Sequence, residues 1–351
     1  MNTHENEQKS DKSVFKTISS KFLVLYKDHV VKRYRNLADQ QKFQYLLQSN
    51  EYARQLYGLS RSLCFRYEND AMYSQVFDTI DLNLIYGNVD SSEGSDEDYT
   101  DRLVKELLRY FKQDFFKWCD KPECIDCNST EEQVILGHQP PDSTESRYDC
   151  TVVEVYRCNR CGATTRFPRY NDPLKLLETR KGRCGEWCNL FMLLLKTFGV
   201  ESRYIWNRED HVWCEFYSTN LKRWVHLDSC EMSFDQPYIY SINWGKQMSY
   251  VVAFGKDGVA DISQRYILRN ELPRDQISES DLQFLLEFIT KQLRATLSDD
   301  EIYKLACRDE QEKLEWCTKT ETEATRTDDS QKGRESGSAG WKQQRGEDGG
   351  L

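Results

Sequence analysis

Apolar residues recur at two different periods along this chain, and the period changes near its middle. In SKFLVLYKDHVVKRYRNL, Ser20 to Leu37, the residues Phe22, Leu23, Tyr26, Val30 and Tyr34 fall at three- and four-residue intervals, which predicts an amphipathic helix. DRLVKELLRYFKQDFFKWC, residues 101–119, repeats that pattern more strongly. Past residue 200 the spacing drops to two. DHVWCEFYS alternates so that His211, Trp213 and Glu215 share one face and Val212, Cys214 and Phe216 the other. KRWVHLDSC puts Trp224, His226 and Asp228 on one face and Val225 and Leu227 opposite, and with STNL as the turn the two strands form an antiparallel hairpin. Between these regimes, a run starting at Cys184 places Trp187, Leu190, Phe191, Leu194 and Phe198 on one face of a helix that Gly199 stops. MSYVVAFGKDGVADI reads as two short strands around a Gly-bounded turn. Two helical stretches follow, the second opening on Ser298 and Glu301 at capping-box spacing.

The ends depart from this patterning. From Thr318 onward the chain is polar, charged and nearly free of aliphatic residues, so it is expected to remain a disordered tail. The acidic segment DSSEGSDEDYTD, residues 90–101, is expected to be a solvated loop. The expected organisation is a helical region over 1–100, a catalytic core with a metal lobe over 101–270, packing helices over 271–317 and the tail over 318–351.

Composition narrows the classes. The chain has 351 residues, 38% of them hydrophobic and 30% charged, enough to bury a real core. No charged-then-apolar leader opens it and no stretch is apolar enough to span a bilayer, so a soluble, unsecreted protein of the cytoplasm, with the nucleus as second compartment, is expected. In that setting thirteen cysteines argue for free thiols, metal ligation or catalysis rather than a disulfide framework, and the sequon at Asn128 is expected to stay unmodified. A net charge of −10 argues against nucleic acid as the partner.

Two Cys-x-x-Cys knuckles, Cys124 with Cys127 and Cys158 with Cys161, carry the metal signal. Four thiolates close a tetrahedral shell around zinc with no position left for water, so one structural Zn2+ is expected. The stretch between the knuckles includes TVVEVYR, whose alternation returns the chain to the second knuckle as a strand. Cys119 and Cys150 read as spare thiols.

Cys184 calls for a different chemistry. A thiol in the first turn of a helix is ionised more readily by the unpaired amides and the helix dipole, and Gly182 and Gly185 beside it admit close approach. Cys188, one turn on, lies in the apolar stripe and reads as core. A lone cysteine at a helix start proves nothing, but the hairpin supplies partners. His211 and Asp228 can sit side by side on its polar face, giving a Cys-His-Asp set in which His211 takes the thiol proton and Asp228 orients the imidazole. His226, on the same face, is the competing base.

FPRYNDPLKLLETRKGRCGEWCNLF, SRYIWN, DHVWCEFYS and WVHLDSCE, preceded by the two knuckles, together resemble cytoplasmic peptide:N-glycanases of the transglutaminase-like superfamily, over roughly Asp101 to Ile267 and in the short fungal form. The resemblance implies an α+β fold with a papain-like core, the triad lying in a deep cleft between the sheet and a zinc lobe. It implies Cys184 as nucleophile, His211 as base, Asp228 as third member and Cys124, Cys127, Cys158 and Cys161 as zinc ligands. It further implies Glu231 as a substrate contact, Arg203 and Glu215 as supports of the site, and removal of intact N-glycans from misfolded glycoproteins in endoplasmic-reticulum-associated degradation. Fungal relatives hold a ubiquitin-receptor shuttle protein of the proteasome with terminal helices, so the Ser20–Leu37 helix, with Lys27, Lys32, Arg33 and Arg35 on its wet face, is expected to join that interface. Trp118, Trp213 and Trp224 suit a sugar-binding cleft, since aromatic faces stack on pyranose rings.

Three readings of this constellation stay open. One is the deglycosylating amidase, in which the Cys184 thiolate attacks the glycosylated asparagine amide and leaves a thioester. The second is another thiol enzyme, a peptidase or a transglutaminase. The third is a non-enzymatic transglutaminase-like module that binds damaged DNA, against which the intact Cys184 and the acidic charge both argue.

Overall fold

The computed structural model describes residues 3–318 and 333–349, with side chains from residue 15 to 316 and from 333 to 349. Helices come first: α1 (Thr3–Arg35), α2 (Gln40–Ser49), α3 (Glu51–Leu63), α4 (Asp70–Phe77), α5 (Leu82–Ser91) and α6 (Tyr99–Tyr110), the last running into a π-turn over Phe111–Phe115. Mixed structure follows: β1 (Lys117–Trp118), β2 (Gln133–Gln139), α7 (Ser143–Ser146), β3 (Val153–Cys158), β4 (Thr164–Pro168), α8 (Pro173–Thr179), β5 (Lys181–Gly182) and α9 (Cys184–Thr197). Then come β6 (Ser202–Asn207), β7 (His211–Ser218), β8 (Arg223–Asp228), β9 (Ser233–Phe234), β10 (Val251–Gly255), β11 (Gly258–Asp261), α10 (Ser263–Tyr266), α11 (Glu279–Leu293), α12 (Asp299–Thr318) and α13 (Ala339–Gln344).

The chain forms two compact units. The smaller gathers residues 1–57, 257–259 and 277–319, so the beginning of the first expected helical region shares a body with most of the last, while residues 58–100 belong to the larger unit. In it Phe43 stacks on Phe288 at 4.5 Å between ring centres, and Thr290 hydrogen-bonds Val259 through both N–H and C=O. Ser298 and Glu301 form the capping box that their spacing predicts. Lys27, Arg33 and Arg35 of α1 are placed otherwise than expected. Arg33 pairs with Glu287, Arg35 with Asp299 and the Ala295 and Leu297 carbonyls, and Lys27 with Asp300. Acidic residues crowd the first turn of α12, where Lys27 and Arg35 find Asp300 and Asp299, while Arg33 meets α11 and Lys32 stays exposed beside Asp28 as expected. Among the described apolar residues of α1, Phe15, Phe22, Val24 and Leu25 are more than 60% exposed.

The larger unit holds the chemistry. Its main sheet has the order β11-β10-β6-β7-β8-β9, antiparallel at the β10–β6, β6–β7, β7–β8 and β8–β9 pairs. α9 packs on this sheet and is buried on every side from Glu186 to Leu195, which is why its sequence reads as nearly continuous apolar residues rather than a stripe. A second, three-stranded antiparallel sheet, β2-β3-β4, carries the cysteine knuckles. This is the α+β arrangement that the patterning predicts.

Residues 333–349 depart from the expected tail. They have defined positions, with Arg334 and Glu347 buried and α13 among them; residues 319–332 lie outside the described residues. Composition misjudges this segment because its few anchoring side chains bury charge and aromatic surface against the larger unit rather than forming a core of their own. Among the described residues no helix is long and apolar enough to cross a membrane, and twelve cysteines are free thiols.

Candidate active site

Cys184 is the first residue of α9, and the chain before it is fastened from several sides. The Arg183 amide donates to Glu186 at 3.0 Å, while its guanidinium holds both Glu154 oxygens at 2.7 Å and the Cys119 and Asp120 carbonyls. Arg169 bridges Glu154 and Glu186. Burial pushes the Glu154 carboxyl up, but Arg183 and Tyr156 hydrogen bonds and the two cations outweigh it and bring it down to about 2. A strand of the knuckle sheet is thereby tied to the foot of α9. Gly182 is required here, because a Cβ on it would meet the Glu186 Cβ at 2.3 Å. Gly185 faces open space, so protein packing makes no demand on it. Arg169, Arg183, Glu154 and Glu186 went unread in the sequence; Glu186, two residues past Cys184, is the only local sign of them.

The hairpin brings the base and the acid. The observed register pairs Ser218 with Arg223 and Glu215 with His226, one residue on from the expected turn. Continued upward, it sets His211 diagonal to Asp228 rather than opposite it, a distance that side chains reach across one face. His211 Nε2 and Asp228 Oδ2 are 2.9 Å apart, both groups buried. That leaves Nδ1 for the thiol. His226 is engaged elsewhere: its Nδ1 accepts the Gln236 amide, its Nε2–H donates to the Tyr240 hydroxyl oxygen at 2.7 Å, and burial holds its pKa down to about 4. Tyr240 also lies 3.0 Å from Asp228 Oδ2, while the Cys230 and Glu231 amides donate to Oδ1. Burial pushes the Asp228 carboxyl up, but the hydrogen bond and charge of His211 prevail and hold it well below the carboxylate range.

These contacts set the protonation states. Burial pushes the Cys184 thiol up, yet the neighbouring His211 imidazole and the positive charges of Arg334 and His211 outweigh it and hold the thiol below its ordinary range. Burial pulls His211 down, whereas its bond to Asp228 and the neighbouring Cys184 win and raise it above the usual imidazole value. The two shifts together favour a thiolate beside an imidazolium. Cys188 behaves in the opposite way. Fully buried between Cys214 and the Trp213 carbonyl, it is pushed far up by desolvation.

The other expected residues divide. Arg203 donates to Glu215 at 2.7 Å and lies 4.1 Å over the Trp224 ring, and Glu215 also accepts Tyr266 at 2.5 Å and pairs with Arg265. This ionic cluster props the sheet behind His211. Trp224 belongs to it and is 9% exposed. Trp213, 1% exposed, is sandwiched by Tyr240 and Tyr266 at 4.3 and 4.7 Å. Neither tryptophan offers a free face to a sugar, so both depart from the expected cleft role; a strand period assigns a residue to a face without showing what covers that face. Trp118 is only half-buried, and Glu231 sits three residues past Asp228. Trp244 was missed: its ring lies 5.2 Å from that of His211, with no periodic pattern in SINWGK to mark it.

The knuckle cysteines converge. All four sulfurs lie within 4.8 Å of one another, Cys124 to Cys161 at 3.4 Å and Cys127 to Cys158 at 3.5 Å. Both knuckles fold alike, with Asn128 N bonded to Cys124 O and Gly162 N to Cys158 O. A tetrahedral ion with metal–sulfur bonds of about 2.3 Å places its sulfurs roughly 3.8 Å apart, so this cluster can hold a metal ion.

Residues 130–229 match the transglutaminase-like superfamily, and residues 206–315 the Rad4 transglutaminase-like domain. Among curated proteins, the peptide-N(4)-(N-acetyl-beta-glucosaminyl)asparagine amidase of Saccharomyces cerevisiae is 59% identical over 351 residues, covering 95% of this chain and 97% of its own. The chain belongs to this amidase family. The amidase of Eremothecium gossypii is 57% identical over 98% of this chain and 99% of its own, and that of Arabidopsis thaliana 44% identical over 74% of this chain and 36% of its own. Among solved structures, Rad4–Rad23 crosslinked to undamaged DNA is a distant likeness at TM-score 0.42 and 13% identity, over 79% of this chain and 60% of that one. Identity to the amidases extends across both units.

Proposed function

We propose that the chain hydrolyses the amide bond between an N-linked glycan and asparagine, with Cys184 as nucleophile, His211 as general base and then acid, and Asp228 as orienting carboxylate. The observation that carries this is the buried 2.9 Å His211–Asp228 bond, with the remaining imidazole nitrogen left to a thiol of lowered pKa at the foot of α9. The thiolate attacks the side-chain carbonyl of glycosylated asparagine, and amides at the start of α9 hold the oxyanion. Protonated His211 delivers its proton to the departing nitrogen, releasing the glycan as a glycosylamine and leaving a thioester. His211 then activates water, which returns the thiol and leaves aspartate. Zn2+ on the four cysteines fits as a fold-stabilising ion, since four thiolates leave no position for a reacting group. Incubation with a denatured N-glycoprotein tests the reading: wild type releases glycan and creates aspartate at the sequon, and Cys184→Ala does neither. Glycan release by Cys184→Ala at the wild-type rate would overturn it.

The expected setting is the cytoplasm, acting on misfolded glycoproteins during endoplasmic-reticulum-associated degradation. The proposed ubiquitin-receptor shuttle would dock on the exposed apolar surface of α1 at Phe22, Val24 and Leu25 rather than on its cations, which are paired within their own unit. Tethering of this kind raises the local concentration of substrate without new site contacts. Phe22→Asp with Leu25→Asp is therefore expected to abolish shuttle binding and spare glycopeptide hydrolysis. Deleting residues 1–37 is a poorer test, because it also strips the contacts of Arg33 and Arg35.

A further inference from the structure

The segment 333–349 covers the same residues that the proposed chemistry needs. Glu231 accepts three hydrogen bonds from it: the amides of Glu335 at 2.8 Å and Ser336 at 3.2 Å, and the Ser336 hydroxyl at 2.5 Å. Trp341 lies edge-on to Trp118, with ring centres 5.5 Å apart. The Arg334 guanidinium sits 5.0 Å from the Trp118 ring, 5.1 Å from Trp244 and 4.8 Å from Trp341. Arg345 pairs with Asp210, next to His211. The segment is further anchored by Lys246 to Glu347 at 2.7 Å, Arg334 to Glu347 at 2.8 Å, and Gly333 N to Asn243 O at 2.9 Å.

Arg334 is wholly buried, yet its Nη2 has no hydrogen-bond partner. After desolvation, the strongest influence on this guanidinium is the charge of Cys184. Burying a donor without a partner is costly. The segment thus presents amide and hydroxyl donors to Glu231, covers an aromatic face at Trp118, and buries a cation among Trp118, Trp244 and Trp341. Hydroxyl and amide donors beside a stacking surface are what a polyhydroxylated ligand attached to an amide would supply.

We infer that residues 333–349 are a tethered occupant of the active-site cleft, held by Glu231, Trp118 and Trp244, which a substrate carrying clustered hydroxyl and amide donors must displace. The inference rests on the proposed amidase reading for the identity of that substrate, and on geometry alone for the occupancy. A tethered occupant lowers the fraction of competent cleft, and the apparent affinity falls by that fraction.

The test uses the full-length chain, full-length Arg334→Ala with Trp341→Ala, and a chain ending at Lys332. Cys184 alkylation is followed by peptide mapping with a small and a bulky maleimide, because the ratio of the two rates cancels any change in thiolate fraction and reads access alone. The bulky-to-small ratio is expected to rise about tenfold in both opened forms, as release of a roughly 90% populated closed state requires. KM for a denatured N-glycopeptide is expected to fall by a similar factor in both opened forms, and a synthetic peptide of residues 333–349 to inhibit the shortened chain competitively. An unchanged reagent ratio in both forms overturns the inference, as does a peptide that fails to compete. A KM that stays at the full-length value in both forms also overturns it. If no form releases glycan, the amidase reading fails and the reagent ratio still decides occupancy.

Discussion

The knuckle lobe and the foot of α9 both depend on cysteine, and they use it in opposite ways. In the lobe four sulfurs crowd within 4.8 Å of one another at strand ends and turns, so each is neutralised by a shared ion or not at all. At the foot of α9 the Cys184 sulfur belongs to no such cluster, and a buried imidazole and the charge of a buried guanidinium favour its ionised form. Cys188, one turn along the same helix, marks the boundary: without a cation beside it, burial simply suppresses its ionisation. Thiol density makes a metal site, and a thiol isolated among positive groups makes a nucleophile.

The sharpest way to break this contrast is Cys184→Ala. Activity is expected to fall by about a millionfold while thermal unfolding stays within a degree or two of wild type, measured by glycan release and by calorimetry. Asp228→Asn comes next, with a loss near 10⁴-fold. Its pH profile carries the sign. In wild type the rate rises as the thiol ionises, below the ordinary thiol range, and falls as His211 loses its proton above the ordinary imidazole value. Asp228 holds His211 up, so its replacement should bring the alkaline limb to lower pH; a limb that stays in place would separate His211 from that descent.

Smaller effects test the lobe. Cys158→Ser is expected to release the bound metal, measured by elemental analysis, and to destabilise the fold by about 3 kcal/mol, with activity lost only as the lobe unfolds. If chelated protein stays folded and loses the chemical step alone, the assignment of a structural ion is wrong. Smallest is Cys188→Ala, which should cost about 1 kcal/mol in stability and leave kcat unchanged. A large fall in kcat would mean that the two thiols of α9 are not separated as described.

The elements and the chemistry-bearing residues were legible in the sequence because each rests on short-range physics. A 3.6-residue or two-residue period places a side chain on a face, a helix start exposes amides to the residue that opens it, and a Cys-x-x-Cys spacing turns two thiols the same way. The supports of Cys184 were not legible. Arg183 and Arg169 meet Glu154 from another sheet, and no local pattern records which distant carboxylate an arginine will find. Alternation put Trp213 on the face of His211, but the burying rings of Tyr240 and Tyr266 come from elsewhere in the chain.

By itself the sequence determined where a thiol opens a helix, which residues of a hairpin share a face, and that four cysteines form two matching knuckles. Only the tertiary structure shows what occupies His226, the competing base: its imidazole is engaged by Tyr240, while His211 Nε2 meets Asp228. It alone seated residues 333–349 on Glu231 and Trp118, against what their composition implies. Composition weighs how much apolar surface a segment can bury in its own core. A few charged and aromatic side chains that fit a cleft built by distant residues escape that measure, since their stabilisation belongs to the surface that receives them.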